Sequence, residues 1–262
     1  MKHAVGLLGL VFLARSVSAQ EYKDFGKDRL NSSPRHGEWV DLRSGDRTIK
    51  AFVVYPESKN KTPVVLVIQE IFGLTDWLRS LCDELAENGV IAIAPDLLSG
   101  QKYEDGDAAG KATHALPNDQ VISDLNAAAD YALKIPACNG TLAVCGFCWG
   151  GGWAFQYASI NPKLKAAYSF YGVAVDNAGD AKKIACPVYG FNAENDARVD
   201  ATIPKAEELM KAAGKKYEPV IYKGAGHGFM RSGEPNNPNV REGDRKARDE
   251  AWARWKTLLK QL

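Results

Sequence analysis

The segment Cys145-Gly146-Phe147-Cys148-Trp149-Gly150-Gly151-Gly152 sets a thiol between glycines two residues before it and two after it. An apolar run over 141–145 precedes it, and a helical pattern over 150–160 follows. A nucleophile on so tight a strand-to-helix turn takes a strained backbone, and larger flanking side chains would collide there. The turn sets the Cys148 sulfur at a helix N-terminus, where the dipole and free backbone N–H groups favour a thiolate. Such a nucleophile needs a base and a group to orient the base, in the chain order nucleophile, acid, histidine. Downstream of Cys148 there is a single histidine, His227, in the turn Gly224-Ala225-Gly226-His227-Gly228-Phe229. The run Asn192-Ala193-Glu194-Asn195-Asp196 supplies the acid. Asp196 is the first choice, with Glu194 and Asp200 behind it. Its task is to fix the imidazole tautomer and stabilise the imidazolium.

Gln69-Glu70-Ile71-Phe72-Gly73 closes another apolar strand. The backbone N–H of Ile71, with that of Trp149, is placed to hold an oxyanion. Glu70 reads either as a structural ion pair or as a charge that tunes ionisation of Cys148 and His227. The chemistry these residues imply is acyl transfer through a thioester.

Two rival readings use the same residues. Cys145-x-x-Cys148 has the spacing of a redox pair. If Cys145 ends a strand, however, extended chain separates it from Cys148 by about 10 Å, beyond the roughly 7 Å a disulfide spans. A zinc site lacks partners at finger-like spacing, since His114 and His227 are far apart in the chain. No metal or other cofactor is therefore expected. No Gly-x-Gly-x-x-Gly follows the first strand, so a dinucleotide is not expected either. A binding protein on an inactive enzyme scaffold is the remaining alternative.

The elements that must position these groups alternate along the chain. Residues 39–42 and 48–55, joined by Ser44-Gly45-Asp46, read as a hairpin. Continuous apolar runs at 63–69 and 90–94 read as strands buried on both faces. Further strands are expected at 141–145, 166–171, 186–191 and 217–222. Helical spacing recurs at 77–86, 121–132, 150–160, 206–213 and 251–262. This predicts an α/β fold: a mostly parallel central sheet, antiparallel N-terminal strands, and helices on both faces. Residues 97–119 break the rhythm and read as a loop or cap insertion.

The chain has 262 residues, 45% of them apolar and 25% charged, with a net charge of +1. That fits one globular domain over residues 37–262 and gives no field for nucleic acid or an acidic membrane. Residues 1–19 have the pattern of a secretory signal peptide: Lys2 and His3, an apolar run over 4–14, then Val17-Ser18-Ala19. Residues 20–36 read as a flexible lead-in. The expected location is secreted or periplasmic, with no membrane attachment after signal removal, as a monomer or small homo-oligomer. The five cysteines leave at least one thiol unpaired within the chain. A Cys138–Cys186 disulfide is one expectation in an oxidising compartment, with Cys82 and Cys145 as core residues.

Over residues 37–262 the sequence resembles the dienelactone hydrolase (carboxymethylenebutenolidase) family. The marks are Gln69-Glu70-Ile71-Phe72-Gly73, Ala94-Pro95-Asp96-Leu97, Gly146-Phe147-Cys148-Trp149-Gly150-Gly151, Asp196 before Val199, and Gly226-His227-Gly228-Phe229. The resemblance implies an α/β-hydrolase fold and a small ester or lactone substrate. It also implies a triad of Cys148, His227 and Asp196, with Glu70 in contact with the nucleophile. Arg231 matches one of two arginines that hold a substrate carboxylate in the family. The other is absent after Pro95-Asp96-Leu97, where Leu98-Ser99-Gly100 follows. Arg198 is the alternative cation, and Phe72 is a further candidate for contact with substrate.

Overall fold

The computed structural model describes residues 26–235 and 237–262. The expected signal peptide, residues 1–19, lies outside them. Among the described residues one sheet is built from β1 (Gly37–Ser44), β2 (Arg47–Val54), β3 (Thr62–Ile68), β4 (Ile91–Pro95), β5 (Cys138–Phe147), β6 (Leu164–Phe170), β7 (Val188–Asn195) and β8 (Tyr217–Gly226). Its order is β1-β2-β4-β3-β5-β6-β7-β8. β2 is antiparallel to both neighbours, and the block from β4 to β8 is parallel. The α/β class read from the sequence is the class observed.

The helices are α1 (Lys27–Ser32), α2 (Asp76–Glu87), α3 (Gly106–His114), α4 (Asn118–Lys134), α5 (Trp149–Ala158), α6 (Ala178–Lys183), α7 (Ala197–Asp200), α8 (Ile203–Ala212), α9 (Phe229–Ser232) and α10 (Glu242–Leu259). They divide between the two faces as the alternation along β3 dictates. Val65 and Val67 join a core layer with Leu78 and Leu81 of α2 and Trp255 of α10. Val64, Leu66 and Ile68 point the other way, toward Leu125 of α4 and Phe155 of α5. A strand buried on both sides has no polar face to spare, which is why 63–69 reads as an unbroken apolar run.

Two stretches differ from the sequence reading. Residues 27–35 are not a free lead-in. Arg29 and Arg35 of this segment both bond the buried Asp83 of α2, at 2.9 and 2.7 Å. A Cβ on Gly26 would lie 2.3 Å from the Asp76 carbonyl, so the segment enters in close contact with α2. Polar composition hid this docking, because it is made by ion pairs. Residues 97–119, read as a loop or cap insertion, hold α3 and the first two residues of α4. Asp105 caps α3 by accepting from Ala108 N–H at 2.7 Å. With three alanines and two glycines, α3 has too narrow an apolar stripe to show a period.

Arg248 of α10 anchors the turn after β8. Its guanidinium, 5% exposed, bonds Glu84 of α2 at 2.8 Å and Glu234 at 2.7 Å. Its Nε donates to the Met230 carbonyl in α9. Trp77 Nε1 also donates to Glu234. Removing the cation leaves two carboxylates facing each other in a largely buried place. Arg248→Ala is therefore expected to cost about 3–5 kcal/mol of stability, read by urea unfolding. Arg248→Met, which keeps volume but not charge, should cost nearly as much, because the stranded carboxylates dominate.

Candidate active site

β5 ends at Phe147 and α5 begins at Trp149, so Cys148 alone makes the turn between them. It does so at φ 55° and ψ −116°. A non-glycine residue held there stores about 1–3 kcal/mol of strain, which the surroundings must over-determine. They do: Cys148 N–H donates to the Phe170 carbonyl at 3.0 Å, and its own carbonyl accepts from Gly151 at 3.0 Å and Gly152 at 3.2 Å. The flanking glycines are sterically required. A Cβ on Gly146 would sit 1.9 Å from the Gly150 carbonyl oxygen, and one on Gly150 2.3 Å from that of Gln69.

Sheet register brings the remaining groups to the same carboxyl edge. β7 and β8 pair Asn195 with Gly226 after an irregularity at 193–195. The residues that follow the two strands are Asp196 and His227, and His227 Nδ1 is hydrogen-bonded to Asp196 Oδ2. Both strands run further than the apolar runs suggest, to Asn195 and Gly226. Polar and glycine residues ending a strand do not read as strand from composition. The two runner-up acids stand apart: Glu194 accepts from Gly224 N–H at 2.8 Å, and Asp200 lies on α7.

Charge follows from this geometry. Burial works to lower the His227 pKa. The hydrogen bond that His227 donates to Asp196, with the hydrogen bond and charge of Cys148, outweighs it and raises the imidazole to about 10. Burial also works to raise Asp196, but the His227 hydrogen bond and charge hold its carboxyl below the ordinary 3.8. About a third of the His227 side chain, 35%, remains open, while Asp196 is 7% exposed behind it.

Cys148 and His227 open into one cavity of about 750 Å³. Ile71, Trp149 and Arg198 line it too. Neither the Ile71 nor the Trp149 amide is given to a hydrogen bond with a described residue. Segment 97–119 supports this rim. Thr113 Oγ1 donates to the Ile71 carbonyl at 2.9 Å, and Tyr103 N–H donates to the Phe72 carbonyl. Gly73, at φ 86°, faces the Gln101 carbonyl, which a Cβ would approach to 2.5 Å. His114, at the end of α3, reaches the same cavity as His227. Among the described residues no cluster of His, Cys, Asp or Glu could hold a metal ion.

Glu70, Arg231 and Phe72 form a second group beside the first. Glu70 is 4% exposed, and its Oε2 accepts from Arg231 Nε at 2.9 Å. The Arg231 guanidinium lies over the Phe72 ring, 5.1 Å from its centre. Arg231 and Phe72 do not line the cavity, whereas Arg198, on α7, does. A residue missed by sequence reading joins the two groups. Tyr171 follows β6 with φ 41°, donates its hydroxyl to Glu70 Oε1 at 3.3 Å, and packs its ring edge-on to His227, 5.2 Å between centres. The signal for it was positional. It follows β6 as Cys148 follows β5, and Gly172 after it has no room for a side chain: a Cβ there would lie 2.2 Å from Gly151.

All five cysteines are free thiols. The expected Cys138–Cys186 disulfide is not formed. Cys138 starts β5 and Cys186 precedes β7, with β6 between those strands. Two strand spacings amount to about 10 Å, too far for a disulfide. Cys145 is fully buried in the sheet, in one core layer with Cys82.

Residues 49–262 match the model of the dienelactone hydrolase family. A Yersinia pestis protein provisionally named carboxymethylenebutenolidase is 31% identical over 236 residues, 80% of this chain and 85% of its own length. A Methylorubrum extorquens protein of the same provisional name is 32% identical over 217 residues, 75% of this chain and 73% of its own. The crystal structure of a Klebsiella pneumoniae protein, provisionally called a dienelactone hydrolase, superposes with a TM-score of 0.77 at 28% identity. That match covers 87% of this chain and 99% of the other.

Proposed function

The chain belongs to the dienelactone hydrolase family and is a hydrolase, and from that premise we propose that it cleaves small ester or lactone bonds through a Cys148-His227-Asp196 triad. The observation that carries this reading is the alignment of the three groups along one edge of the sheet. Asp196 bonds His227 Nδ1, and His227 shares its cavity with a strained Cys148. An imidazole raised to about 10 in the same cavity as the thiol supports His227 as the proton carrier of the reaction.

In the reaction the Cys148 thiolate attacks the substrate carbonyl carbon. The carbonyl oxygen becomes an oxyanion, held by the N–H groups of Ile71 and Trp149. The tetrahedral intermediate collapses to a thioester as His227 gives its proton to the departing alkoxide. Neutral His227 then takes a proton from water, which attacks the thioester and releases acid and thiolate. Asp196 holds the ring so that its Nε2 faces the reacting atoms. Glu70 has its charge answered by Arg231, which leaves Arg198 as the arginine facing the cavity. Export rests on the sequence pattern at 1–19 alone.

The test is direct. With p-nitrophenyl acetate, rapid quenching during turnover should trap the protein heavier by one acetyl group, and peptide mapping should place that group on Cys148. Acetyl on another residue, or turnover without any adduct, would count against the thioester route.

A further inference from the structure

The cavity is much larger than a five-membered lactone requires. At about 750 Å³ it falls in the range that takes drug-sized ligands. Its walls beyond the triad are apolar on one side. Trp149 and Trp153 form an aromatic corner, rings edge to face with 5.9 Å between centres. Val173 and Val175, from the stretch after β6, complete that side. Val173 is 43% exposed, one of three large apolar side chains so exposed among the described residues. The other two, Trp39 and Ile221, lie off this cavity. An apolar wall continuous with a reacting centre suits an apolar group of a ligand.

α3 also lines the cavity, and at its centre stands Gly110. A Cβ built there meets nothing within 4 Å. A helix gains stability from almost any other residue at such a position, so the missing side chain leaves width to the cavity instead. Charge does not select strongly here. The lining carries both signs, Arg198 with Asp176 and Asp180, and Arg231 is bound to Glu70.

We propose that this space is a subsite for a bulky apolar arm of the substrate, aromatic and at least two fused rings in size, lying against Trp149, Trp153 and Val173 and against α3 at Gly110. The inference rests on the hydrolase reading above and goes beyond it, to an ester class far larger and less polar than a small lactone acid.

The test uses ester pairs matched in intrinsic reactivity. Ethyl 3-(2-naphthyl)propanoate is compared with ethyl propanoate for an arm on the acyl side. For an arm on the alcohol side, 2-(2-naphthyl)ethyl acetate is compared with ethyl acetate. In at least one pair the naphthyl ester should have the higher kcat/KM by about tenfold or more, since apolar area buried beside the nucleophile carries over into the transition state. Gly110→Leu should cut that ratio several-fold by filling the width α3 leaves. Ratios near one in both pairs, with the ethyl esters hydrolysed, would overturn the subsite and leave the hydrolase reading standing. If none of the four esters is hydrolysed, the proposed ester cleavage fails, and calorimetry with 4-(2-naphthyl)butan-2-one decides the subsite. Binding that Gly110→Leu abolishes supports it, and absence of binding refutes it.

Discussion

Cys148→Ala should lower kcat/KM for p-nitrophenyl acetate by roughly 10³-fold or more, with the fold intact. Loss of the nucleophile removes the covalent route altogether, and residues that act as a unit lose nearly everything when one goes. What remains is the cavity and the two amide donors at Ile71 and Trp149, which still favour attack by water to a small degree. Stability should not suffer. Cys148 holds φ 55°, and alanine dislikes that backbone as cysteine does, so the strain is unchanged. Iodoacetamide should inactivate the wild-type protein by modifying Cys148, the one cysteine that is not buried. Cys145→Ala separates this chemistry from a redox pair. Cys145 is walled into the core and burial pushes its thiol well up, so its removal should leave esterase turnover within a few-fold of wild type. Full esterase activity in Cys148→Ala, or total loss in Cys145→Ala without unfolding, would contradict the assignment.

The parts of this fold that sequence revealed are those where one physical demand dominates. A strand covered on both faces must be apolar throughout, so β3 and β4 stand out as runs. A turn that cannot admit a Cβ must be glycine, so the motif around Cys148 shows itself. Where elements are held by charge or by pairing register, composition is silent. Docking of α1 on Asp83 is one case, since arginine and aspartate also describe a free segment. The extension of β7 and β8 is another, because ladder pairing recruits whatever residues the register brings. Tyr171 escaped for a third reason. Tyrosine at the end of an apolar strand is an ordinary core residue until neighbouring strands place it between Glu70 and His227. Arg231 was legible as a cation near the site, but only packing shows that Glu70 holds it away from the cavity.

Asp196→Asn should lower kcat by about 10²-fold or more and shift the alkaline limit of activity to lower pH. The carboxylate does two things for His227: it accepts the Nδ1–H and it answers the positive charge. Asparagine can accept the hydrogen bond but not answer the charge. The His227 pKa, raised to about 10 in the wild type, should therefore fall toward its ordinary 6.5, as ring signals followed by NMR titration would show, with His227→Gln to assign them. In the wild type the proton needed by the leaving alkoxide stays on His227 until pH approaches 10, so turnover should hold through the neutral range; in the variant it should decline earlier. Stability obeys the same linkage with definite signs. A histidine raised when folded contributes stability that is complete below pH 6.5 and is lost as pH climbs through about 10. Asp196, held below 3.8, contributes stability present above that value and lost as pH falls through its lower folded one. The stability gap between wild type and Asp196→Asn should accordingly be widest between about pH 4 and 6.5 and narrow on either side. An alkaline limit that does not move, with His227 still titrating near its wild-type value, would mean that Asp196 does not orient the base.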